Sequence, residues 1–94
     1  AGVAALLRDL YPSDSVDDIK ARIVTRSYRN VSQFPGGSGL RISPSRIGNG
    51  RIDTPAAAAS NIFAYSPDEP GLVSVSFDSA VTTGQQTRTV VIDN

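Results

Sequence analysis

The amino-acid sequence predicts an α+β chain in which three helices precede two β-strands. Val3, Leu6, Leu7 and Leu10 recur at i, i+3, i+4 and i+7, the helical period. Further on, Ser15 and Thr54 each stand where a helix cap is expected, ahead of residues that favour helix. From Val73 the pattern changes to period two: Val73, Val75 and Phe77 alternate with Ser74 and Ser76.

The first helix is expected over residues 2–11. Ala4 and Ala5 are strong helix formers, and Pro12 drives Tyr11 out of helical geometry and ends the segment. No capping residue precedes it. Gly2 and the alanines leave the face opposite the leucines small rather than charged, so the helix asks for cover on nearly all sides. The second helix is expected over 15–27. Ser15 and Asp18 stand in capping-box spacing, and Asp17 and Asp18 favour the positive end of the helix dipole. Val16, Ile19 and Ile23 form its apolar stripe, with Lys20, Ala21 and Arg22 beside it, and Arg26 and Arg29 come near its C-terminal end. Leu6, Leu7, Leu10, Ile19 and Ile23 are the expected shared core of these two helices.

Residues 30–50 read as solvated loop, punctuated by Pro35-Gly36-Gly37-Ser38-Gly39, Pro44 and Gly48-Asn49-Gly50. Thr54 as N-cap and Pro55 as first helical residue open a third helix over 54–60. Strands are expected at about 72–77 and 87–92, with a turn around Gly84 and a connector at 63–71 containing Pro67, Pro70 and Gly71. Two strands alone are marginal in water.

The chain has 94 residues, no cysteine and no histidine. A chain of this size buries only about 60–65% of the surface its unfolded form exposes, and ten of its apolar residues are alanines. Disulfides, thiolate metal sites, a cysteine nucleophile and a Ser-His-Asp triad within this chain are all excluded by composition. No apolar run approaches the ~18 residues of a membrane span.

A net charge of zero conceals three blocks: −3 over residues 1–18, +7 over 19–52 and −4 over 53–94. The central block holds Lys20, Arg22, Arg26, Arg29, Arg41, Arg46 and Arg51 with no acid. It is expected to pair with acidic surface elsewhere in the fold. The alternative is a binding module for an anionic partner, nucleic acid or acidic protein, with Tyr28 and Phe34 available for stacking. A third reading, an interaction domain built on the β segment, has too few strands.

Among local motifs, Asp14, Asp17 and Asp18 invite a calcium reading, but helix capping accounts for two of them and the glycine turn of an EF-hand is missing. Gly-Gly-Ser-Gly at 36–39 lacks the lysine and the strand-to-helix setting of a phosphate loop. Asn30-Val31-Ser32 fits the N-glycosylation pattern, one that recurs often by chance. The sequence therefore nominates no catalytic, cofactor-binding or metal-ligating residue.

The order of the pieces resembles the C-terminal end of the subtilisin-like serine protease (subtilase) catalytic domain. The residues that carry this are Gly2-Val3-Ala4-Ala5-Leu6-Leu7, Tyr11-Pro12, the capped helix from Ser15 to Ile23, and Gly48-Asn49-Gly50-Arg51-Ile52-Asp53 before an alanine-rich helix. In that family a Gly-Thr-Ser-Met-Ala-x-Pro motif carries the nucleophile and opens a buried helix, whose tail Ala1 to Leu7 is similar to. The resemblance covers roughly residues 1–60, and the longer, arginine-rich loop at 28–47 departs from it. It implies that residues 1–62 end a catalytic domain of α/β type with a parallel sheet. Residues 63–71 would then connect to 72–94, which resemble the opening strands of a following β-sandwich domain. It further implies a secreted or cell-envelope hydrolase acting on protein or peptide substrates, with calcium admissible in the parent protein. The serine would precede Ala1 by about two helical turns. No catalytic residue, cofactor or metal is thus carried onto this chain, which alone should be inactive. No nucleic-acid partner is implied, and the rest of the parent domain is needed to cover the first helix.

Overall fold

In a computed structural model, residues 1–69, 71–75 and 84–94 are described. The chain is α+β: α1 (Gly2–Leu10), α2 (Val16–Thr25), a 3-10 turn (Pro35–Gly37), α3 (Pro44–Ile47), α4 (Thr54–Ala59), β1 (Phe63–Tyr65) and β2 (Val91–Asp93). The two strands pair antiparallel, Phe63 opposite Asp93 and Tyr65 opposite Val91. α2 lies at the centre and touches α1, α4 and β1.

Local sequence accounts for the ends of the first two helices. α1 begins without a side-chain cap and stops at Tyr11, whose φ of −127° and ψ of 71° leave the helical region ahead of Pro12. α2 opens with the full reciprocal box. Ser15 Oγ accepts from Asp18 N at 3.1 Å, and Asp18 Oδ2 accepts from Ser15 N at 2.9 Å. The Ser15 hydroxyl also donates to Asp18 Oδ2 at 2.7 Å, and this bond, followed by the Ser15 backbone N–H, holds the Asp18 carboxyl below its ordinary value.

A folded-state pKa depressed in this way adds stability above the unfolded value of about 3.9, and the increment is lost as pH falls through the folded value. Ser15→Ala is accordingly expected to cost about 0.5–2 kcal/mol at neutral pH. Its gap from the parent chain should narrow once Asp18 is protonated. Denaturant midpoints of both chains at pH 7 and at about pH 2.5 check this. A gap that stays constant would show that the Asp18 charge is not involved.

The core is small and differs in membership from the expected one. Leu7, Ile19 and Ala57 form it, with Val3, Ala4, Tyr11, Ile23 and Ala58 packed around them. Leu7 is completely buried, whereas Leu6 and Leu10 remain 44% and 50% exposed. The buried side of α1 runs through Val3, Ala4 and Leu7, and the Leu6–Leu10 row, one helical turn apart, faces outward. Val16, expected in the stripe of α2, is 76% exposed in the first turn, while Ala21 and Arg22 are buried. With neighbours on several sides, α2 buries more of its circumference than one stripe.

The cap of α4 is Asp53, not Thr54. Its Oδ1 accepts from Ala56 N at 3.0 Å, and Pro55 takes the second helical position. The expected connector at 63–71 contains β1, whose Ala64 N donates to Thr25 Oγ1 of α2 at 3.1 Å. The strand expected at 87–92 is shorter and displaced, forming only over β2. Residues 72–75 of the strand expected at 72–77 form no ladder, and residues 76–77 lie outside the described ones. Alternation alone did not make a strand of them, because a strand needs a hydrogen-bonded neighbour. Leu72 is instead held in a turn, its N donating to Glu69 O and its O accepting from Ser66 N.

The segment expected as plain loop is a folded arm. Tyr28 and Arg51 exchange backbone hydrogen bonds of 2.7 and 2.9 Å at its base. Further out, Ile42 N donates to Val31 O and Gln33 N to Leu40 O, each at 3.0 Å. The base needs glycine at 50: φ is +103°, and a Cβ there would stand 2.9 Å from the carbonyl carbon of Tyr28. Along the return limb, Pro44 at the first helical position and Gly48 at the end bracket α3, a start-and-stop signal already present in the sequence. The radius of gyration is 15.4 Å, against about 13 Å for a 100-residue domain.

Candidate functional site

Each chemically suggestive cluster in the sequence has a definite place. Asp14 Oδ2 accepts from Arg22 Nε at 2.6 Å, and Asp18 is engaged by Ser15. Asp17 Oδ1 packs where a Cβ of Gly71 would lie, at 2.8 Å. The three acids thus serve three different contacts, and among the described residues no acidic group converges as metal ligands do. The glycines at 36, 37 and 39 all have positive φ and form the tip of the arm. Three serines have plain structural uses: Ser15 caps α2, the single Ser27 hydroxyl lies within reach of the carbonyls of Val24 and Asn49, and Ser60 Oγ donates to Ile62 O. With no histidine in the chain, none has an imidazole base.

The basic block divides into cations that the fold uses and cations on its surface. Arg22 is the most engaged. Only 6% exposed, it pairs with Asp14 through Nε and donates from Nη1 to the carbonyl of Ser60 beyond α4. Its guanidinium lies 3.9 Å from the centroid of the Tyr11 ring and 5.0 Å from that of Phe63. Tyr11 Oη in turn donates to Ala58 O. One side chain therefore links the end of α1, α2, the end of α4 and β1. Sequence reasoning placed Arg22 merely beside the apolar stripe. The signal that could have marked it is its position three residues after Ile19 and one before Ile23, within the buried arc.

The expectation that the block pairs with acidic surface holds at Arg22 alone among the described residues. Lys20 Nζ instead donates to Gly71 O at 2.6 Å, and the Arg51 guanidinium lies 5.3 Å from the centroid of the Tyr28 ring. Arg26, Arg29, Arg41 and Arg46 are exposed.

The arm carries two separate clefts. One, of about 430 Å³, holds Tyr28, Phe34 and Arg51. The other, of about 480 Å³, is lined by Arg29 and Arg41 together with Ile42, Pro44 and Ile47. The aromatic rings proposed for stacking thus belong to a different cleft from this arginine pair. Among the described residues, no helix is long and apolar enough to cross a membrane. None of the protein-family models, curated proteins or solved structures compared with the chain matches it.

Proposed function

We propose that this chain is a scaffold portion of a subtilisin-like serine endopeptidase, the enzyme hydrolysing peptide bonds through an acyl-enzyme and acting outside the cell or in its envelope. Residues 1–62 are assigned to the end of the catalytic domain, and its serine, histidine and aspartate lie outside the chain. The observation that carries the reading is α1. Residues 1–7, Ala-Gly-Val-Ala-Ala-Leu-Leu, resemble the tail of the Val-Ala-Gly-x-x-Ala-Leu-Leu segment of the helix behind the nucleophile, and the Leu6–Leu10 row stands about half exposed. A small core and an expanded radius of gyration support the same reading, as both suit a piece that relies on neighbouring structure. Residues 72–94 are assigned to the start of a β-sandwich domain, with β1 and β2 tying that segment back to α2.

The test begins with the coding sequence immediately upstream of residue 1, where a Gly-Thr-Ser-Met motif about two helical turns away is expected. A start codon or an unrelated domain there removes the proposal. The isolated chain is expected to cleave no peptide and to ignore fluorophosphonate probes, since it contains no histidine to act as the base. The polypeptide extended upstream should cleave peptides and react with the probes. Labelling of any serine of the isolated chain faster than free serine would contradict the assignment.

A further inference from the structure

We infer that the cleft lined by Arg29 and Arg41 is a docking site for an acidic, extended peptide segment of a protein partner. This inference is independent of the protease reading. Charge complementarity is its first ground. Residues 19–52 contain seven cations and no acid, and two of the cations line this one cleft from opposite limbs of the arm. Arg29 comes just after α2 and Arg41 from the return limb, so the pair is created by the fold and not by sequence proximity. Guanidinium groups bind carboxylates through two parallel N–H donors, the geometry that favours arginine over lysine at such sites.

The second ground is the aliphatic lining. Ile42 and Ile47 are half-buried and Pro44 is exposed, which gives the cleft aliphatic surface beside its two arginines. An extended peptide presents side chains i, i+2 and i+4 to one face, so two carboxylates with an aliphatic side chain midway between them can meet the arginines and the aliphatic residues together. The lining residues among those described include neither an acid nor an aromatic ring. Base stacking is therefore not on offer, which separates a peptide from a single-stranded nucleic acid.

The third ground is preorganisation. The cleft walls are held by Ile42 N to Val31 O at 3.0 Å, by Gly48 N to Pro44 O at 2.8 Å and by Ser27 Oγ to Asn49 O. A site already ordered before binding loses less entropy on association.

The experiment is fluorescence anisotropy of the 94-residue chain with a fluorescein-labelled hexapeptide Asp-Asp-Leu-Leu-Asp-Asp, each face of which presents aspartate, leucine and aspartate in turn, at ~150 mM salt. A dissociation constant below about 100 μM is expected. The Arg29→Gln/Arg41→Gln double variant should bind at least about tenfold more weakly. The Arg8→Gln/Arg88→Gln double variant, which loses the same charge at residues outside the arm, should change by less than about threefold. Each single variant, Arg29→Gln or Arg41→Gln, should show an intermediate loss with unchanged amide dispersion by NMR, and the peptide should shift the amides of Ile42, Ile47 and Gly48. The inference is overturned by equal losses in the two double variants, by equal binding of the asparagine analogue, or by tighter binding of a labelled oligothymidylate. Absence of peptide binding up to about 1 mM overturns it as well.

Discussion

Arg22→Ala is expected to be one of the two most damaging single substitutions in the chain. Removing one partner of a buried ion pair costs about 3–5 kcal/mol, because the other charge is left without compensation. The Asp14 side chain keeps 18% of its exposure, so water offsets part of that penalty and places the expected loss in the lower half of the range. The same substitution strips the Ser60 carbonyl of its donor and removes the cation from between Tyr11 and Phe63. Arg22→Lys should recover little, since one ammonium cannot reproduce the fork that meets Asp14 and Ser60 together. A denaturant-unfolding cycle of Arg22→Ala, Asp14→Ala and the double variant measures the coupling, which should exceed about 1 kcal/mol. If Arg22→Ala costs no more than the exposed Arg46→Ala, the central position given to this residue is wrong.

Leu7→Ala is the second large effect. A fully buried Leu→Ala substitution costs about 2–5 kcal/mol, the spread reflecting how far the site collapses. Leu7 is covered entirely by this chain, against Ile19 and Ala57, so the upper half of that range applies. For a domain whose total stability is near the lower end of about 5–15 kcal/mol, this removes most of it. Leu10→Ala makes the informative contrast. At 50% exposure it should cost less than half as much in the isolated chain. Within the larger catalytic domain proposed above, both substitutions should cost comparable amounts, and Leu7→Ala should lower peptidase activity by displacing the helix behind the serine. Hydrogen exchange adds a second readout. In the isolated chain, amides of α1 on the Leu6–Leu10 side should exchange faster than those of α2. Equal and strong protection of both helices, with a cooperative thermal transition, would mean that α1 needs no further cover.

The parts of the fold that the sequence alone determined are those settled within a few residues of chain. Pro12 ends α1 through its clash with Tyr11, and Ser15 with Asp18 opens α2 through bonds spanning three residues. The absence of histidine and cysteine likewise decides, without any coordinates, which chemistries the chain cannot perform alone. Even locally there was ambiguity: Asp53 and Thr54 are both good caps, and which one bonds Ala56 depends on where the preceding turn delivers the chain. Apart from α3, which Pro44 and Gly48 bracket locally, the rest was decided by long-range partners. Phe63–Tyr65 became a strand because Val91–Asp93 reached it from about 30 residues away, while the better alternation at Val73 and Val75 found no ladder. Of two equally apolar rows on α1, only the one that met Ile19 and Ala57 was buried. The seven cations of the middle block are equivalent in sequence, yet one became the buried junction of four elements and two came to line a single cleft. The physical reason is the same in each case. Local periodicity states which surfaces can be buried or paired, and only the meeting of distant segments supplies the partner that makes burial or pairing favourable.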